Sequence, residues 1–128
     1  MEFTIGLRGE ATASVDSSNT AKTMGSGELE VFATPSMIAL MEKASTNALA
    51  EDMPGDSSSV GTMISVKHMA ATPVGMKVTA KAELVEVDGK RLVFWVEAFD
   101  EKDKIGEGKH ERFVINKERF MTKTNGKK

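Results

Sequence analysis

The sequence predicts an α+β fold, a five-stranded antiparallel sheet wrapped around one central helix. Three observations carry that expectation. One segment, from Thr34 to about Asp52, has helical periodicity and is apolar around most of its circumference. Four later segments read as strands joined by short turns, two of them with clear period-two alternation. One further short strand precedes the helix. A helix this apolar needs cover on most of its sides, and a curved antiparallel sheet supplies it.

The elements follow in order. Residues 8–17 set Ala11, Ala13 and Val15 at alternate positions and read as a short edge strand. Residues 16–29 are rich in Ser, Thr, Asn and Gly, which makes them a loop placed to act as a lid. Thr34 reads as the helix N-cap and Pro35 as its first residue. Met37, Leu40, Met41, Ala44 and Ala48 define the buried face, and Pro54-Gly55 stops the helix. From Val60, strict alternation puts Thr62, Ile64, Val66 and His68 on one face. It puts Gly61, Met63, Ser65, Lys67 and Met69 on the other. Residues 76–87 turn Val78, Ala80, Ala82 and Leu84 inward, and Asp88-Gly89 marks a tight turn. Arg91 to Phe99 is apolar on both faces and suits a central strand; residues 104–116 form the last strand. One domain spans residues 1–120, and the polar tail 121–128 reads as disordered.

Composition narrows the function classes. A chain of 128 residues can bury a core of its own. The absence of cysteine excludes disulfides, thiolate metal sites and a cysteine nucleophile. A net charge of -2 with interspersed signs argues against nucleic-acid binding. No apolar run is long enough to span a membrane, and Met1 to Ile5 lacks the pattern of a signal peptide. The expected location is therefore the cytoplasm. Nine methionines and six phenylalanines imply an adaptable interior.

Glu42 is the residue that most needs explaining. It interrupts an otherwise apolar helix, where desolvation favours the protonated carboxyl unless a partner compensates. Such a group suits a general base or a nucleophile. His68 lies on the strand face expected to pack on the same helix, and a Glu–His pair is a common acid–base device. Thr34 places a hydroxyl at a helix N-terminus, where backbone amides favour an oxyanion. Gly61 leaves room for a carbonyl oxygen to approach its amide. His110 lies in Lys109-His110-Glu111-Arg112, charged on both faces, and reads as a surface or interface residue. Arg112 could pair with an acidic group. Two isolated histidines give no metal-ligand set, and no cofactor is expected.

At these residues the chain resembles a known family. Val31 to Glu42 looks like the helix opening of hot-dog-fold thioesterases of the fluoroacetyl-CoA type. Ser59-Val60-Gly61-Thr62, Val66 to Gly75 and Ile105 to Phe113 are similar too, and the likeness runs from about residue 8 to residue 120. The resemblance implies a hot-dog fold and hydrolysis of an acyl-CoA, with CoA as part of the substrate. It implies homodimers, or pairs of dimers, with sites near the dimer interface. It places the catalytic residues at Thr34, Glu42 and His68, the oxyanion amide at Gly61 and a supporting arginine at Arg112. Members that select fluoroacetyl-CoA carry an aromatic in the lid; here Thr23 to Glu30 has none, which points to a broader or different short-chain acyl preference. Lys67, Lys104 and Lys109 are candidates for the CoA phosphates. A non-catalytic acyl-CoA-binding module is the rival reading. A hot-dog hydratase is a third, and its Asp–His motif is not found.

Overall fold

The structure, a computed structural model, describes residues 2–128. Its elements are β1 (Arg8–Ser14), α1 (Ala21–Met24), α2 (Thr34–Leu49), β2 (Ser57–His68), β3 (Lys77–Asp88), β4 (Arg91–Phe99), β5 (Lys104–Asn116) and α3 (Lys117–Asn125). A 3₁₀ turn, Ala50–Asp52, closes α2 before Pro54. The strands form one antiparallel sheet in the order β1-β3-β4-β5-β2. This is the helix-in-sheet architecture that the sequence pattern predicts. Both β1 and β2 are edge strands. Among the described residues, no helix is long and apolar enough to cross a membrane.

Alternation explains the core. Val78, Ala80, Ala82 and Leu84 of β3, with Leu92, Phe94, Val96 and Ala98 of β4, lose almost all contact with solvent. They pack against Met37, Leu40, Met41, Ala44 and Ala48 of α2. Burial of each large side chain contributes about 1.5–3 kcal/mol. The alanines on both surfaces let helix and sheet approach closely. The approach is tightest at Gly9, where an added Cβ would lie 2.2 Å from the Ala44 carbonyl oxygen and 2.4 Å from the Ala48 nitrogen. Both are backbone atoms that cannot rotate away. Gly9→Ala is therefore expected to destabilise the fold by at least the ~1–3 kcal/mol typical of overpacking. Urea unfolding checks this, and an unchanged midpoint would show that β1 does not press on α2.

Strict alternation fails in β2, with a useful consequence. A bulge between Gly61 and Met63 inserts one residue into the β2–β5 pairing. After the bulge, Ile64, Val66 and His68 pair with His110, Gly108 and Gly106; before it, Gly61 pairs with Arg112. Directly opposed residues share a face. Gly61 and His68 therefore lie on the same, helix-facing side, not on opposite sides as simple alternation requires.

The C-terminal segment also departs from expectation. Residues 117–125 are helical, across the point where the domain was expected to give way to a disordered tail. The signal is local: Asn116 caps the helix by accepting from the Arg119 amide, and Glu118 sits in the first turn.

Candidate active site

The start of α2 sets the first cluster. Its N-cap is Ala33, not Thr34, and no side chain caps it; Pro35 follows in the first turn. The Thr34 hydroxyl is thus free of capping, and it is hydrogen-bonded to His68 Nδ1 at 2.7 Å. The opposite nitrogen, His68 Nε2, is buried without a partner among the described residues. Burial holds the His68 imidazole below its ordinary pKa, so the neutral ring is favoured. Thr34 and His68 line a cleft of about 280 Å³ with Ala21, Val31, Phe32 and Met69. The segment expected to act as a lid forms part of its wall, through Ala21 and Ser26.

Two turns along α2, Glu42 anchors a second cluster. Its Oε2 accepts from Arg112 Nη1 at 3.0 Å. The arginine is almost enclosed, whereas the carboxylate keeps 41 % of its side-chain exposure. Glu42 is thus paired and partly open to solvent, in place of the desolvated group that the apolar segment suggested. Arg112 also donates from Nε to Ser59 Oγ at 2.8 Å and from Nη2 to the Ser59 carbonyl at 3.0 Å. Gly61 completes the cluster. An added Cβ there would lie 2.7 Å from Glu42 Oε2. With Glu42, Met63 and His110 it lines a separate cleft of about 240 Å³. Because the crowded atom ends a flexible side chain, Gly61→Ala should fold normally while pushing the carboxylate aside. We expect a kcat loss of about 10²-fold, the scale of a 1 Å misplacement, with an unchanged melting temperature. Full activity would show that the close approach is not needed.

The structure therefore brings together Thr34 with His68, and Glu42 with Gly61 and Arg112. It does not join the two groups within one chain, and the expected Glu42–His68 pair is absent. His110 is 1 % exposed and hydrogen-bonded to the Met63 carbonyl and Arg112, so it is buried within the chain and not on its surface as its charged neighbours suggest. The signal was present: Gly106, Gly108, His110, Arg112 and Val114 form one buried period-two row. Of the candidate phosphate lysines, Lys104 is paired with Glu97 and Glu107, and Lys109 with Glu111. Lys67 sits beside His68 on the edge strand. Among the described residues, no group of three or more His, Asp or Glu is placed to hold a metal ion.

The profile of the fluoroacetyl-CoA-specific thioesterase family matches residues 15–118. The chain belongs to the fluoroacetyl-CoA thioesterase family. It is 49 % identical over 98 residues to the fluoroacetyl-CoA thioesterase of Streptantibioticus cattleyicolor, covering 77 % of this chain and 70 % of that one. A crystal structure of a fluoroacetyl-CoA thioesterase superposes with a TM-score of 0.92 at 39 % identity, covering 100 % of this chain and 99 % of that chain. A variant of that thioesterase has been solved with acetyl-CoA. A thioesterase-superfamily protein of Thermus thermophilus shares the fold, with a TM-score of 0.89 at 24 % identity over 97 % of this chain and 92 % of that one. Fluoroacetyl-CoA thioesterase family membership thus rests on nearly the whole chain, and the hot-dog fold is shared well beyond the family.

Proposed function

We propose that the protein hydrolyses a short-chain acyl-CoA to the free acid and CoA, at a site built from Thr34, Glu42 and His68 and completed across a homodimer. The observation that carries this reading is the division of the machinery along β2. Gly61 and His68 share a face but stand about 20 Å apart along the strand, at ~3.3 Å per residue with the bulge residue adding no step. β2 is an edge strand, and a second copy pairing with it antiparallel would satisfy that edge. Pairing about an axis at Ser65, which the bulge leaves midway between them, sets Gly61 opposite the partner's His68. Each Thr34–His68 cluster then meets a Glu42–Gly61 cluster from the other chain, twice per dimer. The unpartnered His68 Nε2 fits a site that is incomplete in one chain.

The chemistry follows from the groups. A water oxygen attacks the thioester carbonyl carbon while Glu42 takes the proton. The Gly61 amide and the α2 N-terminus face the developing oxyanion, worth about 3 kcal/mol per donor in such sites. The C–S bond breaks, and the CoA thiolate takes up the proton that Glu42 removed from the water, relayed through the His68 ring, which returns Glu42 to its carboxylate and His68 to its neutral form. No cofactor enters this scheme. Because CoA thioesters are intracellular metabolites, the reading also places the protein in the cytoplasm. No aromatic side chain occurs between residues 4 and 31, which supports a short-chain preference without fluorine selection.

Free-thiol release from a panel of short, branched and aromatic acyl-CoAs tests the proposal, with His68→Ala as the control. Turnover on a short-chain class, lost in the variant, is expected. Tight acyl-CoA binding with no thiol released from any of them would replace the enzyme by a binding module.

A further inference from the structure

His110 has a fixed hydrogen-bonding role. Its Nδ1 lies 2.8 Å from the Met63 carbonyl oxygen. A carbonyl only accepts, so Nδ1 carries a proton. Its Nε2 lies 3.1 Å from Arg112 Nη1. A guanidinium only donates, so Nε2 presents a lone pair. One species satisfies both contacts, the neutral ring protonated at Nδ1. The protonated imidazolium would set N–H against N–H at Arg112. Phe94 backs the ring, with centroids 6.2 Å apart.

The same Nη1 that donates to His110 also donates to Glu42. A continuous chain thus runs from the Met63 carbonyl, beside the β2 bulge, through His110 and Arg112 to the Glu42 carboxylate. We propose that His110 is a positioning residue: as its neutral Nδ1–H form it fixes the Arg112 guanidinium, and Arg112 in turn holds Glu42 over Gly61. This deepens the thioesterase reading and rests on it, because it assigns Glu42 work on the thioester.

The charged groups facing His110 agree with a neutral ring. Burial pushes its imidazole below the ordinary value and Arg112 adds to this, while the Met63 carbonyl, Glu42 and Glu111 oppose. The positioning contact is therefore present at neutral pH. It is lost in acid, when the ring protonates and Nε2 turns from acceptor to donor.

Two polar substitutions separate the two contacts. His110→Gln can put an amide oxygen where Nε2 was and keep the Arg112 contact. His110→Asn can put an amide near Nδ1 and keep only the Met63 contact. We expect His110→Gln to retain most of kcat, and His110→Asn to lose about 10²-fold with KM little changed, because a displaced catalytic group loses turnover before binding. In the wild-type dimer, the ¹⁵N spectrum of His110 should show Nδ1 protonated and Nε2 bare. Equal losses in the two variants would mark His110 as merely structural and overturn the proposal, as would full activity in His110→Asn or a proton on Nε2. A wild type that hydrolyses no acyl-CoA overturns the underlying reading and this one with it. A hydrolysing wild type beside an equally fast His110→Asn overturns this one alone.

Discussion

Glu42→Gln is expected to lower kcat for acyl-CoA hydrolysis by about 10²–10⁴-fold, the range that a positioned general base supplies. The fold should survive the change. The amide oxygen of Gln can still accept from Arg112 Nη1, so the enclosed guanidinium keeps its partner. The half-exposed carboxylate leaves room for the amide, and the Ser59 contacts of Arg112 are untouched. What is lost is the capacity to take a proton from water. Steady-state kinetics on the preferred acyl-CoA, with thermal melting of both proteins, decides the matter. Near-normal kcat in a folded variant would remove Glu42 from the mechanism. A loss of both kcat and melting temperature would assign it a structural role instead. Pre-steady-state thiol release adds a second readout. Direct attack by water gives no burst, whereas a burst matching the enzyme concentration would make Glu42 or Thr34 a covalent nucleophile.

The sequence pattern was most informative where one physical rule governs a segment. Pro35 and the periodic apolar residues marked α2, and Asp88-Gly89 with Val78 to Leu84 marked the β3–β4 hairpin. It was least informative where one residue of offset changes the chemistry. Thr34 suits an N-cap by type, yet the cap falls on Ala33, and this single step frees the hydroxyl for His68. An extra residue at the Gly61–Met63 bulge reverses which face Gly61 shares; a glycine inside a strand is a signal for such a bulge, and strict alternation runs straight through it. His110 was hidden for another reason. A buried histidine among charged neighbours looks like a surface residue until its partners are known, and Met63, whose carbonyl it meets, lies 47 positions away in the chain. Resemblance to a family named the site residues; it did not show that one chain divides them between two clefts.

Mixing two inactive variants should restore activity if the site forms between chains. In a Glu42→Gln chain the Thr34–His68 cluster is intact. In a His68→Ala chain the Glu42–Gly61–Arg112 cluster is intact. A heterodimer of the two holds one site with both defects and one site with neither. Random pairing makes half of the dimers mixed, and each has one of its two sites intact, so about a quarter of wild-type kcat should return. Either variant alone stays near its background. Co-expression with two different affinity tags isolates the heterodimer directly, and its activity should approach about half of wild type for one working site in two. The result discriminates sharply because no arrangement within one chain predicts it. If Glu42 met His68 of its own chain, every site in every mixture would lack one group, and mixing would restore nothing. The same preparation reports the oligomeric state by sedimentation: a monomer that hydrolyses acyl-CoA would leave the division along β2 unexplained by pairing and would sink the interface reading.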